Sequence, residues 1–439
     1  MPTFSVFRYT HIPNLTIPYS LFPFPYPLSP FPYSLSPIPF PLSPFPYSPI
    51  PKAVLAGLLE AIFNGMSIGS VLLISALGLA IVFGLMGVIN LAHGELMMLG
   101  AYTTFVVQNI FKLLPPPLFE FYIFFALIAA FIVSGVAGLV LERGVIRFLY
   151  GRPLETLLAT WGVSLILQQF VRSISWVLAI AITIFCLLYF GGMSLIKRRV
   201  DFERIRTVSI AILLPLSIGV TGAISLLLSQ TYQLAITQPW FGAQNVDVTA
   251  PAWLRGGLPL GDFQLPYSRL FIMVLTGICL LGIYLFLQKT TWGLRIRAVT
   301  QNREMSACLG IPTAQVDAFT FALGSGLAGV AGCAITLLGS VGPNTGQNYV
   351  VDTFMVVVVG GVGRLVGTII AALGIGTANY LIGSGSFVSI FASVKPLADF
   401  FTFFATTSMA KVMVFALIIT FLQIRPGGIF PQKGRNVEL

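Results

Sequence analysis

Charge is scarce in this chain: Asp, Glu, Lys and Arg make up 9% of 439 residues. Histidine is scarcer still, with 2 residues, His11 and His93. A lone His93 beyond the first 52 residues, with no H-E-x-x-H, argues against a histidine-based metal site. The 4 cysteines form no C-x-x-C. Cys186, Cys279 and Cys333 lie in apolar stretches and Cys308 in a polar one, so all read as free thiols acting as small apolar fillers. No G-x-x-x-x-G-K-[ST] occurs, so no nucleotide is bound through a P-loop. No serine, cysteine or paired-carboxylate nucleophile arrangement is visible either. The expectation is a protein that is not an enzyme, with no catalytic residue, no cofactor and no metal.

What is abundant is apolar surface. The chain is 56% hydrophobic with a mean hydropathy of +0.92. A soluble domain cannot hide that much. Several apolar runs reach the length of a membrane span, about 18 residues or more. The fold class is therefore all-α, a polytopic transmembrane helical bundle of about 8–11 spans, some broken or re-entrant. Its first partner is the lipid bilayer. The formal charge of +10 does not signal nucleic acid, because the basic residues are spread over short loops. In a membrane protein such charge reports orientation.

Residues 1–52 are read as a separate, disordered proline-rich tail. Residues 13–51 repeat LSPFPYS, LSPIPFP and LSPFPYS. Proline at this density favours an extended chain. The tract lacks the unbroken apolar core of a signal peptide. No methionine falls between Met1 and Met66, so a wrongly placed start is an alternative. Residues 53–431 form the transmembrane domain, and 432–439 a short cytoplasmic tail.

Candidate spans are 58–88, 91–111, 119–141, 156–171, 176–196, 207–229, 268–288, 318–339, 351–383 (interrupted) and 410–424. The basic segments Glu142–Arg152, Lys197–Arg206, 289–317 and Arg425–Arg435 are placed inside. Residues 230–267 then fall outside, with Trp240, Trp253 and Tyr267 as interfacial anchors. The C-terminus is cytoplasmic if 351–383 is a hairpin or two half-spans broken at Gly360–Arg364. The direction of the first span is left open.

Two breaks carry polar groups at membrane depth. Asn90, His93 and Glu95 occur together around Gly94, where such groups usually face a bundle interior or a watery path. An alternative is a turn whose Asn and Glu cap helix ends. Gly346–Asp352, with Gln347 and Asn348, is the second break. Paired broken segments suit a transporter with a midplane site. Gly324–Gly332 offers small residues for close helix packing. The segment Lys289–Ile311 is a basic, partly helical island between two spans.

These residues resemble a known family. Ile89–Glu95, Ala298–Ile311, Gly324–Gly332 and Arg425–Phe430 look like the branched-chain amino acid type of ABC importer permease. Tyr150–Gln169, Trp240–Val248 and Gly346–Asp352 look closest to its urea branch. The likeness spans roughly 54–431, and Arg364 stands where a neutral residue is expected. The resemblance implies a multi-pass protein of the bacterial plasma (inner) membrane. It implies a second related permease, two ATPase subunits and an extracytoplasmic substrate-binding protein as partners. Urea is the first expected cargo, since a neutral molecule suits a path poor in charge, and a branched-chain amino acid is the alternative. A stand-alone, ATP-independent channel or secondary transporter is the reading from a different class. The expected substrate path is Asn90, His93, Glu95, Gln347 and Asn348. The expected ATPase contact is Arg297, Asn302, Arg303, Glu304, Leu309, Gly310 and Ile311, with Arg303 and Glu304 orienting and Leu309 and Ile311 seating.

Overall fold

The structure is a computed structural model and describes residues 52–192, 212–225, 240–242, 244–260, 263–391 and 395–430. The proline-rich tail, the Lys197–Arg206 loop, the segment 226–239, the Cys186 side chain and the tail 432–439 lie outside the described residues. The helices are α1 (Lys52–Met86), α2 (His93–Lys112), α3 (Tyr122–Gly144), α4 (Pro153–Ser173), α5 (Trp176–Cys186) and α6 (Ile212–Ser225). They continue with α7 (Tyr267–Lys289), α8 (Thr291–Gln301), α9 (Arg303–Cys308), α10 (Thr313–Thr336) and α11 (Thr345–Gly360). Setting aside helices of five residues or fewer, the last three are α12 (Leu365–Gly383), α13 (Lys395–Phe404) and α14 (Thr407–Ile424). Seven helices among the described residues are long and apolar enough to cross a membrane. Among the described residues β1 (Gly257–Leu260) pairs antiparallel with β2 (Phe263–Pro266), with Gly257 opposite Pro266.

α1 and α10 are the centre of the bundle. In each, 83% of the apolar window is buried, against 17% in α14. Lipid tails are as apolar as leucine, so helices in a bilayer associate by close approach of small residues. That is how Gly324–Gly332 is used: Gly324 faces the Gly78 carbonyl of α1, and Gly329 faces the backbone of α3 at Ala130.

Helix directions follow from successive contacts. Gly65, Gly69 and Gly84 of α1 meet Thr377, Ala372 and Gly363, so α1 and α12 run antiparallel. Ile429 donates its N–H to the Val359 carbonyl at 2.8 Å, which puts the 361–364 turn beside 425–430. Val88 packs with Leu141 and Ile146. One end of the bundle therefore carries 87–88, 142–152, 361–364 and 425–430; we call it the basic end. α1 runs toward it, which gives the first span a direction. The 351–383 run breaks at Gly361–Arg364, where Gly361 and Gly363 take φ of 96° and 76°. Arg364 is exposed there, among the other basic turns.

At the far end the 240–256 segment is tied down. Tyr122 Oη and Gln108 Nε2 both donate to the Thr249 carbonyl, at 2.8 and 3.1 Å. Trp253 donates Nε1 to the Glu120 carbonyl at 2.9 Å and stacks on Phe124.

Candidate functional site

Two helices begin inside the bundle instead of at its ends. After Met86 the chain passes Gly87 at φ 69° and turns back into the bundle. Asn90 bends this return by accepting the Ala92 N–H on Oδ1 at 3.1 Å. α2 then starts at His93, whose Nε2 lies 3.0 Å from the carbonyl oxygen of Ser75, well within the Gly57–Gly84 span. From the opposite end, Val341 bridges to Val246, and α11 starts at Thr345. The two starts meet. Gly94 and Gly346 stand back to back, with the Gly94 Cα facing the Gly346 carbonyl. A side chain added at Gly346 would fall 2.7 Å from Glu95 Oε2.

That geometry sets the electrostatics. The first turn of a helix presents unpaired N–H groups and a partial positive charge. Glu95 lies in the first turn of α2 and beside the first turn of α11. The residue is 1% exposed, and Oε1 accepts a hydrogen bond from Ser164 at 3.1 Å.

The sequence reading missed the wall opposite. In α4 the residues Thr156, Thr160, Ser164 and Gln168 are buried, at a spacing of four. Spacing of four keeps one face of a helix. Thr160 accepts from the Leu91 N–H at 3.2 Å, Ser164 holds Glu95, and Gln168 donates to Asn344 Oδ1 at 3.0 Å. Arg172 extends the row, donating to the same Asn344 oxygen at 2.6 Å. The signal was visible as a polar stripe within an apolar span. Of the expected path residues, Asn90, His93 and Glu95 are gathered at the seam. Gln347 and Asn348 sit in the first turn of α11 and are exposed. Lys411 of α14 donates to the Asn348 carbonyl at 3.3 Å and to Asp352 at 2.9 Å. A separate cavity of about 420 Å³ opens at the far end, lined by Glu60, Tyr380 and Ser384 among others.

The basic island folds into α8 and α9. Asn302 separates them by capping α9, accepting the Met305 N–H at 2.9 Å. Gly310 at φ 80° ends α9, and the Ile311 N–H reaches back to Ser306 at 3.0 Å. Asn302→Ala is expected to destabilise the island by about 1 kcal/mol. Limited proteolysis would show faster cleavage near residue 302; an unchanged rate would argue against the cap.

The side chains of the island divide. Glu304 is exposed, Met305 is 58% exposed and Leu309 is 75% exposed. Arg297 donates to Gln288 at 3.0 Å. Ile311 is half-buried and packs against Ile296, Val299 and Val316. Arg303 stays partly exposed while its guanidinium reaches back to the bundle. Its Nη2 lies 2.6 Å from Asp317 Oδ2, and its guanidinium lies over the Tyr150 ring. Tyr150 donates Oη to Glu142 at 3.1 Å. Burial, then the nearby Asp317 and Glu142 charges, push the Tyr150 phenol above its ordinary range, so it stays a donor.

The profile of a family described as "Branched-chain amino acid transport system / permease component" matches residues 61–422. LivH of Salmonella typhimurium, described as a high-affinity branched-chain amino acid transport system permease protein, is 25% identical, covering 84% of this chain and 94% of its own. BraD of Pseudomonas aeruginosa, described in the same terms, is 24% identical over 84% of this chain and 95% of its own. A probable LivH of Methanocaldococcus jannaschii is 29% identical over 55% of this chain and 68% of its own. No solved structure matches. A match from 61 to 422, over the same helices that build the seam, means that this chain belongs to the permease component family of branched-chain amino acid transport systems.

Proposed function

We propose that the chain is the membrane-spanning subunit of an ATP-driven importer whose cargo is a branched-chain amino acid. The observation that carries this is the similarity, over 84% of this chain, to relatives described as branched-chain amino acid permeases. The urea expectation finds no support among them. Its physical argument also weakens, because an acidic group, Glu95 of α2, and a basic one, Arg172 of α4, both lie along the polar row of α4. A zwitterionic cargo needs partners for both its charges. Urea stays the second reading, favoured only by the amides of Gln168, Asn344, Gln347 and Asn348.

In this reading the basic end is cytoplasmic, as the distribution of Lys and Arg favours. The path runs through the Glu95 seam, including Asn90, His93, Gln347 and Asn348. Met305 and Leu309 offer the outward apolar face on which an ATPase subunit docks, with Glu304 beside them. A second permease and an extracytoplasmic binding protein complete the assembly. Cells expressing the whole operon should take up labelled leucine, and deleting the ATPase genes should reduce that uptake at least tenfold. Labelled urea should not enter above background. ATP-independent uptake would sink the importer reading, and urea uptake without leucine uptake would reverse the choice of cargo.

A further inference from the structure

Four polar side chains join the island to the bundle at the basic end. Asp317 lies one turn into α10 and is 3% exposed. Glu142 ends α3 and is 1% exposed. Tyr150 comes from the turn before α4, and Arg303 opens α9. The contacts run in series: Asp317 to Arg303 at 2.6 Å, Arg303 over the Tyr150 ring at 4.9 Å, and Tyr150 to Glu142 at 3.1 Å.

The geometry points to this cluster as the element that transmits motion of α9 to the spans; we infer that Asp317 and Tyr150 are positioning residues for coupling, acting through Arg303. The inference rests on the proposed docking of α9 against an ATPase. Three facts support it. First, α9 is short and is bordered by the Asn302 cap and by Gly310, so its own backbone gives it little grip on the spans. Second, its outward side chains, Met305 and Leu309, are mostly exposed. Third, Arg303 is the side chain of α9 that reaches buried charge, and it reaches two places at once. α10 is a central helix, and its Gly324 and Gly329 abut α1 and α3. α4, which follows Tyr150, carries the polar row against Glu95. A displacement of Arg303 therefore bears on both walls of the seam. A planar guanidinium suits this task, since it can pair with a carboxylate and lie on a ring together.

The pair is asymmetric, and that makes it testable. Arg303 has a side chain 46% exposed, whereas that of Asp317 is 4% exposed. Asp317→Asn leaves an arginine that can turn to water, so assembly should survive. Removing Arg303 alone would strand a buried carboxylate and risks misfolding.

The experiment uses the intact complex, purified in lipid, with ATP hydrolysis and leucine transport measured together. For Asp317→Asn we expect ATP hydrolysis within twofold of wild type and leucine moved per ATP reduced at least tenfold. Tyr150→Leu should lower the same ratio, while Tyr150→Phe, which keeps the ring under Arg303, should retain most of it. An unchanged ratio in both Asp317→Asn and Tyr150→Leu overturns the inference. A double Met305→Asp/Leu309→Asp variant serves as the separate control, and it should lose co-purification of the ATPase. If it keeps the ATPase bound, the docking reading fails; if docking behaves as expected and the ratio does not move, the cluster has no coupling role.

Discussion

Gly94→Ala is expected to abolish leucine uptake, although it adds a single methyl group. The new Cβ would fall 2.8 Å from the Gly346 carbonyl carbon and 2.9 Å from Val350 Cβ, with the Gly346 carbonyl oxygen nearer still. The obstacle is backbone, which cannot swing aside as a flexible side chain does. The two helix starts must separate, and Glu95 loses its place beside the first turn of α11. Overpacking of a well-filled core typically costs about 1–3 kcal/mol, and a backbone obstacle belongs at the top of that range. Gly277→Ala is the matched comparison. Nothing lies within 4 Å of a Cβ built there. The same exchange on the exposed face of α7 should leave uptake unchanged and favour the helix slightly. Uptake and the yield of the detergent-extracted complex should be measured on both variants. Normal uptake by Gly94→Ala would refute the back-to-back contact.

Lys411→Met should produce the second large effect, this time on stability. Asp352 is 5% exposed, and its carboxylate is paired with Lys411 at 2.9 Å. Taking away one member of a buried pair leaves an uncompensated charge, at about 3–5 kcal/mol. Asp352→Asn should be far milder, since the Lys411 side chain is 33% exposed and can turn to a polar neighbour. The double variant Lys411→Met/Asp352→Asn should recover most of the loss. Thermal unfolding of the purified complex would rank the three. Equal melting of Lys411→Met and wild type would show that the pair contributes nothing.

The spans were legible because an apolar run long enough to cross a bilayer has few other uses. The break at Gly361–Arg364 was legible too, since Gly360-Gly-Val-Gly363 cannot sustain a helix. Asn90 illustrates a divided reading: its side chain bends the chain ahead of α2 without capping the helix, and Glu95 faces the seam. The meeting of Gly94 with Gly346 was not legible. It depends on two distant segments entering from opposite ends, and nothing local encodes that. Arg303 was read as orienting the island and Ile311 as seating it; their contacts with Asp317 and Val316 at the start of the next span were not legible. The α4 row was legible in principle, as Thr156, Thr160, Ser164 and Gln168 repeat every four residues; attention to the apolar character of the span hid it.

That row has a consequence for how the protein tolerates change. α4 is seated through hydroxyls and amides, while leucines and aromatic side chains such as Leu154, Leu158 and Trp161 point away from the bundle. A side-chain hydrogen bond between membrane helices is worth about 0.6 kcal/mol on average. No single rung therefore holds the helix, and losing one barely loosens it. Mutational drift along this face is cheap one step at a time and ruinous in combination, so α4 fails the way a zip fails, after several teeth have gone.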